Sequence, residues 1–417
     1  MSRRLSMNIL FVHQNFPAQF KNIAPALVKR GDNVVALSMR KNAPNQWQGI
    51  KMVTYSSIRS NSTSTHPWVT DFESKVIRGE ACYLAAQKLY SDGFRPDVIV
   101  AHPGWGESMF LKDIWPDAKL GIYSEFFYQN TGADFLFDPE FQNSSNSNHC
   151  RLRLKNANNL LHFEIADAGI SPTHWQASTF PKLFKEKISV IHDGIDTELV
   201  SPNPDAVFKL DDGTVLTKHD EVITFINRNL EPYRGYHIFM RALPDLLKNR
   251  PNARILIVGG DSVSYGFKSP SGKSWKNIFI NEVKSQISSE SWTRVHFLGL
   301  LPYSNFIKLL QISTVHVYLT YPFVLSWSLL EAMSAGCAIV ASNTAPVIEV
   351  IKNKVTGLLF NFFDPTELVE AVLSLLHDPS LRENLSTAAR YFAKNNFDLS
   401  TLCLPQQLSW IDRLNDQ

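Results

Sequence analysis

Arg228 and Arg234 stand six residues apart in "INRNLEPYRGYHIF" (226–239), just past an apolar run that reads as a strand. Pro232 and Gly235 mark a tight loop around them. Guanidinium forks grip phosphate oxygens two at a time and keep their charge at any working pH, so this loop suits a diphosphate. Two solvated surface arginines are the plain alternative. A second candidate is "TYPFVLSWSLLEAMSAG" (320–336), whose single carboxylate is Glu331. Ser328-Leu-Leu-Glu331 has capping-box spacing and Gly336 is a suitable stop, so the spacing predicts a short helix capped by Ser328. A helix start after a parallel strand offers unbonded N–H groups and a positive dipole end to a phosphate. Two roles for Glu331 stay open: it caps its own helix, or it turns toward a ligand hydroxyl.

The elements that must position these residues read as alternating strands and helices. "NILFVH", "NVVALSM", "PDVIVAH", "KLGIYSEF" and "ISVIHDG" are short apolar runs without alternation, separated by helical patterns such as "VTDFESKVIRGEACYLAAQKLYSDG". Strands buried on both faces look like this, and the alternation means βαβ units on a parallel sheet. The pattern weakens at 196–220, a stretch rich in Pro, Asp and Thr that reads as a linker with a small hairpin. It restarts with "VITFINR", "RILIVGG", "VHFLGL", "VHVYLT", "AIVAS" and "TGLLF", and the tail is helical. Two doubly wound α/β domains are therefore predicted: 1–200, 201–395, and a C-terminal helix over 396–417 that packs back toward the first domain. Ligands bind such sheets outside the carboxyl ends of the strands, which predicts a cleft between the domains.

Composition narrows the function. The 417 residues are 44% hydrophobic and 12% aromatic, and 41 basic side chains nearly balance 39 acidic ones at +2. Wholesale nucleic-acid binding is disfavoured, although a local basic pocket is not. Cys82, Cys150, Cys337 and Cys403 are widely separated, with no zinc or disulfide pattern. No apolar run approaches the roughly 18 residues that span a bilayer, and the run after Arg3 and Arg4 suits a first strand better than a signal peptide. A cytoplasmic protein is expected, with peripheral contact at the inner membrane face left open.

Taken together, these stretches resemble the retaining glycosyltransferases of family 4, which have the GT-B fold. The resemblance runs over nearly the whole chain. "RNLEPYRG" is similar to the family's donor loop, with Arg234 where lysine is usual. "HDGIDTELVSP" (192–202) is similar to its interdomain segment, with Asp193 in place of asparagine. "SLLEAMSAGCAIVAS" and "VIEVIKNKVTGLLF" match its helix, strand and closing turn. The resemblance implies that Arg228 and Arg234 hold the nucleotide diphosphate as it leaves, and that Glu331 accepts from the ribose hydroxyls. It implies that N–H groups of Leu325, Ser326, Trp327 and Ser328 contact phosphates or donor sugar. It assigns His102, at the end of "PDVIVAH", to the donor sugar; a satisfied strand-end histidine is the alternative. Gly260, ending "RILIVGG", joins the donor-binding set, with a tight strand exit as its alternative. The family has two glutamates eight apart; the first position here is Phe323.

The implied activity is transfer of a sugar from a nucleotide-diphospho-sugar to a hydroxyl of a glycan or lipid-linked acceptor, with retention, in polysaccharide or glycolipid assembly. The nucleotide sugar is a co-substrate, and no cofactor or metal is implied. Phe323 motivates a second reading, a catalytically weak or inactive nucleotide-sugar-binding subunit; other chemistry on the fold, such as epimerisation, comes third.

Other signals are weaker. "GFKSPSGKSW" (266–275) approximates a P-loop but has five residues between Gly266 and Gly272, where the motif needs four. "HPGWGES" (102–108) suits either close backbone approach to a ligand or a strained turn. In "HQNFPAQFKN" (13–22), Pro17 and Ala18 stand where the fold usually has glycines. "EFFYQNTGADFLFDPEF" (125–141) is aromatic-rich and, by the resemblance, on the acceptor side. The cluster Arg151, Arg153 and Lys155 follows on a predicted helix, either a membrane-facing patch or a solvated face. "QNSSNSNHC" (142–150) reads as a loop.

Overall fold

A computed structural model describes residues 6–141 and 147–416. The chain divides into two compact units, Met1–Gly194 with Ser400–Gln417, and Ile195–Leu399. The first carries strands β1 Asn8–Val12, β2 Asn33–Ser38, β3 Gln46–Trp47, β4 Ile50–Thr54, β5 Val98–Ala101, β6 Lys119–Tyr123, β7 Ala168–Ser171 and β8 Ile188–Val190. They form one sheet in the order β3-β4-β2-β1-β5-β6-β7-β8, parallel except for the β3 edge hairpin. β1, β5 and β7 are buried almost throughout, as their unbroken apolar runs require. The order reverses direction between β1 and β5, which makes a switch point there.

The helix Leu404–Asn415 belongs to this first unit. Trp410, Ile411 and Leu414 are buried with Phe11, Ile23 and Tyr123. Gly121 in β6 admits the indole: a Cβ there would stand 2.5 Å from Trp410 Cη2. Arg30 donates to Asp412 at 2.8 Å and Gln407 donates to the His192 carbonyl at 2.9 Å, tying the helix at two further points.

The second unit opens with β9 Val207–Lys209 and β10 Val215–Thr217, an antiparallel hairpin. Its Phe208, Leu210 and Leu216 are buried in the unit's core, so 196–220 is an integral part of the domain rather than a linker. The main sheet comprises β11 Val222–Asn229, β12 Arg254–Gly260, β13 Val295–Phe297, β14 Val315–Tyr318, β15 Ala338–Ser342 and β16 Leu358–Phe360. Its order is β13-β12-β11-β14-β15-β16, all parallel, with the switch point between β11 and β14. No helix among the described residues is long and apolar enough to cross a membrane.

One further expectation needs correction. Residues 142–146 of "QNSSNSNHC" lie outside the described residues, but 147–150 form the first turn of the helix Ser147–Ile165 rather than a loop. The stretch 266–275, which lacks the phosphate-loop spacing, also has its first amide, and the two before it, occupied. Ser264, Tyr265 and Gly266 N–H groups all donate to the Glu231 carboxylate, at 3.1, 3.3 and 3.0 Å.

Candidate functional site

The predicted residues of the second unit gather at the carboxyl ends of β11 and β14, the two strands that flank its switch point. Arg228 lies within the last residues of β11, at a register shift between Ile226 and Asn229, rather than beyond the strand. Its side chain is exposed. Arg234 is the opposite: it is buried in a single turn, Pro232–Arg234. Its Nη1 donates to Thr320 Oγ1 at 2.6 Å and to the Val324 carbonyl at 3.0 Å, so one guanidinium bridges the loops after the two strands. The ring of Tyr265 lies 4.8 Å below its Cζ. Gly235 follows with φ +69° and a Leu319 side chain against the position of a Cβ, so only glycine makes this exit.

The turn is itself braced by a residue that spacing alone did not single out. Glu231 is 1% exposed, and its three amide bonds fix the loop after β12. Burial pushes its carboxyl up, against those amides and the Arg234 charge. Gly260 ends β12 opposite Asn229, whose Oδ1 would stand 2.6 Å from a Cβ at that position. The close approach therefore serves Asn229, which also bonds Ser262 N–H and Ser264 Oγ.

The helix after β14 runs Trp327–Ser334, and its cap is Ser326, not Ser328. Ser326 has extended backbone, and its Oγ accepts from Ser328 N–H at 3.3 Å. The capping box is out of register by two residues, so Glu331 does not cap its own helix; it is buried and accepts from Tyr303 Oη at 2.7 Å. Two of the four predicted phosphate-facing amides are engaged within the protein. Ser326 N–H donates to Tyr318 Oη at 3.0 Å, and Ser328 N–H donates to the cap. Phe323 is buried in an aromatic cluster, its ring edge-on to Tyr233 and tilted against Tyr265, each centroid 5.3 Å away.

In the first unit, His102 follows β5 and His13 follows β1, one on each side of the switch point, with ring centroids 5.3 Å apart. Each ring's Nδ1 accepts an N–H from two residues on, Asn15 for His13 at 2.9 Å and Gly104 for His102 at 3.1 Å. His192, after β8, repeats the device with Gly194 at 3.0 Å. The acceptor role of Nδ1 places the proton of each neutral ring on Nε2. Burial pushes His13 and His192 down to about 3, with His102 adding to the effect on His13. His102 also stacks on Tyr123, whose Oη donates to Asp193 at 2.8 Å. In "HPGWGES", Gly106 has φ +94° and lies against Lys75, so this turn is a packing contact with the helix Thr70–Ser91. The basic cluster splits: Arg151 and Arg153 are exposed, while Lys155 turns inward with its Nζ 3.7 Å from the Tyr128 ring centroid.

Comparison with known proteins agrees with this arrangement. The pattern of the Glycosyl transferase family 4 group matches residues 30–200, and that of Glycosyl transferases group 1 matches residues 209–392. D-inositol 3-phosphate glycosyltransferase of Corynebacterium glutamicum is 24% identical over 200 residues, 47% of this chain and 45% of that protein. Spore coat protein SA of Bacillus subtilis is 25% identical over 225 residues, 53% of this chain and 57% of its own. The chain thus spans about half the length of the curated relatives it matches. The sucrose-phosphate synthase structure from Thermosynechococcus elongatus superposes with a TM-score of 0.74 at 16% identity, covering 99% of this chain and 100% of that one. Alr3699/HepE of Anabaena, in complex with UDP and glucose, does so with 0.67 at 18%, covering 99% and 100%. These likenesses establish the GT-B fold, two Rossmann-like domains.

Proposed function

We propose that this chain, a member of the family 4, group 1 glycosyltransferases, moves a sugar from a nucleotide-diphospho-sugar to an acceptor hydroxyl with retention of anomeric configuration. The observation that carries the reading is Arg234, buried and tied across the switch point of the second unit, with the exposed Arg228 in the last residues of β11. In this reading the diphosphate meets Arg228, the outward N–H groups of Arg234 and the amides of Leu325 and Trp327. Glu331 takes the ribose hydroxyls from its place beside Tyr303. The neighbours solved with UDP support a uridine nucleotide as donor.

The chemistry asked of these residues is electrostatic. The acceptor oxygen bonds to the anomeric carbon on the face from which the diphosphate departs. The bond from that carbon to the phosphate oxygen breaks, and the hydroxyl proton passes to the leaving oxygen. Negative charge grows on the diphosphate, where fixed guanidinium donors stabilise it without reorganising, while the fold aligns the partners. Glycan or lipid-linked acceptors in polysaccharide or glycolipid assembly, at the cytoplasmic face of a membrane, fit the reading.

A thermal-shift series with UDP, GDP, ADP and their glucose conjugates tests it, since a ligand that binds only the folded state raises stability by mass action. A shift with one base and a conjugate, followed by transfer or donor hydrolysis, supports the reading; no shift with any nucleotide sinks it. Phe323 favours the second reading, a binding subunit. Nucleotide-sugar binding without turnover over a broad acceptor panel would establish that instead.

A further inference from the structure

Four aromatic rings meet beside the Arg234 guanidinium, and the electrostatics of the diphosphate need none of them. They come from three loops at the carboxyl ends of the second sheet: Tyr233 after β11, Tyr265 after β12, and Tyr321 and Phe323 after β14. Tyr233 is the hub, its ring centroid 4.7 Å from Tyr321, 5.3 Å from Phe323 and 6.0 Å from Tyr265. Tyr321 and Phe323 are buried and form a floor. Tyr233 is half-buried and Tyr265 is 42% exposed, so these two rings carry the cluster to the surface. Core packing accounts for the floor. It does not account for two more rings held at the surface beside a buried cation, and contiguous exposed apolar surface of that kind marks a contact site. The same loops offer no uncommitted carboxylate to a sugar hydroxyl. Their acids are Glu231, which accepts from three amides, and Asp261, paired with Lys276 at 3.2 Å.

We propose that this aromatic wall holds the donor's sugar ring and selects a sugar that bears a methyl group, as an acetamido or a 6-deoxy substituent. The proposal rests on the transfer reading above, which puts the diphosphate on Arg234. The anomeric carbon is bonded to that diphosphate, so the pyranose lies within a ring's width of the guanidinium. Tyr265 stands there, its centroid 4.8 Å from the Arg234 Cζ. Aromatic faces take C–H and methyl groups, whereas a hydroxyl laid against them loses its water and gains no partner. A fully hydroxylated hexose therefore sets a hydroxyl against carbon, and a methyl group in that place gains contact instead. Phe323 fixes this character, because its ring, edge-on to Tyr233, closes the floor with carbon alone. A single methyl or methylene group in an apolar pocket discriminates by roughly 10- to 200-fold.

Titration calorimetry reads the preference within the uridine series: UDP, UDP-glucose, UDP-6-deoxyglucose and UDP-N-acetylglucosamine. At least one methyl-bearing conjugate binds about tenfold or more tighter than UDP-glucose, and which one does so identifies the substituent. In Tyr265→Ala the ratio of that conjugate to UDP-glucose falls to near one, while Tyr265→Phe, which keeps the ring, keeps the ratio. UDP-glucose binding as tightly as both methyl-bearing conjugates overturns the proposal on the wild-type protein, with no variant needed. A Tyr265→Ala loss shared equally by UDP and its conjugates also overturns it, because the ring then braces Arg234 or carries the base. Loss of the ratio in Tyr265→Phe assigns the selection to the phenolic hydroxyl and overturns the stacking. In each of these outcomes UDP still binds and the transfer reading stands. No binding by UDP or any conjugate instead removes the uridine donor, and the wall's role with it.

Discussion

The two switch points share a topology and differ in chemistry. In the second unit the strand ends carry arginine, a buried carboxylate and hydroxyls, and Arg234 is locked across the gap by Thr320 and Val324. In the first unit the matching positions carry imidazoles packed on Trp105 and Tyr123, with the cations one layer away on helices. A doubly wound sheet dictates where a site forms. The residues that follow each strand decide what it takes. A fixed guanidinium suits a charge that moves during reaction, while the imidazoles of the first unit accept backbone N–H groups and pack against aromatic rings.

The largest effect separating the units comes from the tail. Trp410→Ala empties a packed site in the first unit and costs about 3–5 kcal/mol. Hydrogen exchange resolved by peptide then shows β1, β5 and β6 losing protection while β11 and β14 keep theirs; uniform loss would break the division. Next, Arg234→Ala lowers turnover about 100- to 1000-fold, roughly 2.7–4 kcal/mol, as removal of a fixed charge-stabilising donor does. Unchanged kcat would show that the second switch point is only structural.

Acid distinguishes the units more gently. His13, His162 and His192 in the first unit are held near 3, 4 and 3 by burial, against an ordinary 6.5. Each stays neutral in the fold while the unfolded chain protonates, so the stability they contribute is full above pH 6.5 and is lost as pH falls toward those values. Glu107 acts oppositely: burial raises it to about 7, so below that it keeps a proton the unfolded carboxylate binds only near 4.5. Between pH 6.5 and 4.5 the first unit therefore loses the effect of a net two protons, roughly 2.7 kcal/mol per pH unit. The second has His316 near 3 and His296 also lowered by burial, with the raised Glu231 opposing them, so its loss over the same range is smaller. Peptide-resolved exchange at pH 7 and 5.5 should show the first unit opening first. The smallest change is Tyr303→Phe, which removes one hydrogen bond to Glu331 at a partly exposed site. About 1 kcal/mol is at stake, seen as a donor KM raised about fivefold with kcat unmoved.

The fold was legible because strands buried on both faces announce themselves as apolar runs, and two such series stood in the chain. The hairpin 207–217 was less legible, because its buried Phe208, Leu210 and Leu216 are scattered among turn residues. Arg234 and Glu331 were visible by type and spacing, but their surroundings were not. Ser326 outcompetes Ser328 as cap because its backbone is extended, a property no residue type reveals. The cations of the first unit were least visible. Lys75 and Arg78 sit on a stretch that reads only as a helical pattern, and Lys155 sat in a run with two exposed arginines. Only the close approach at Gly79 and Gly106 turns them into one wall.

The indole seated over Gly121 also sets an order of events during synthesis. Residues 1–194 leave the ribosome before the second unit, yet a wall of their core is the segment 400–417, which leaves after it. The nascent first unit must wait, with Phe11 and Tyr123 incompletely covered, while the second unit is made and folds whole. Chaperone demand should therefore fall on residues 1–194 rather than on the second unit.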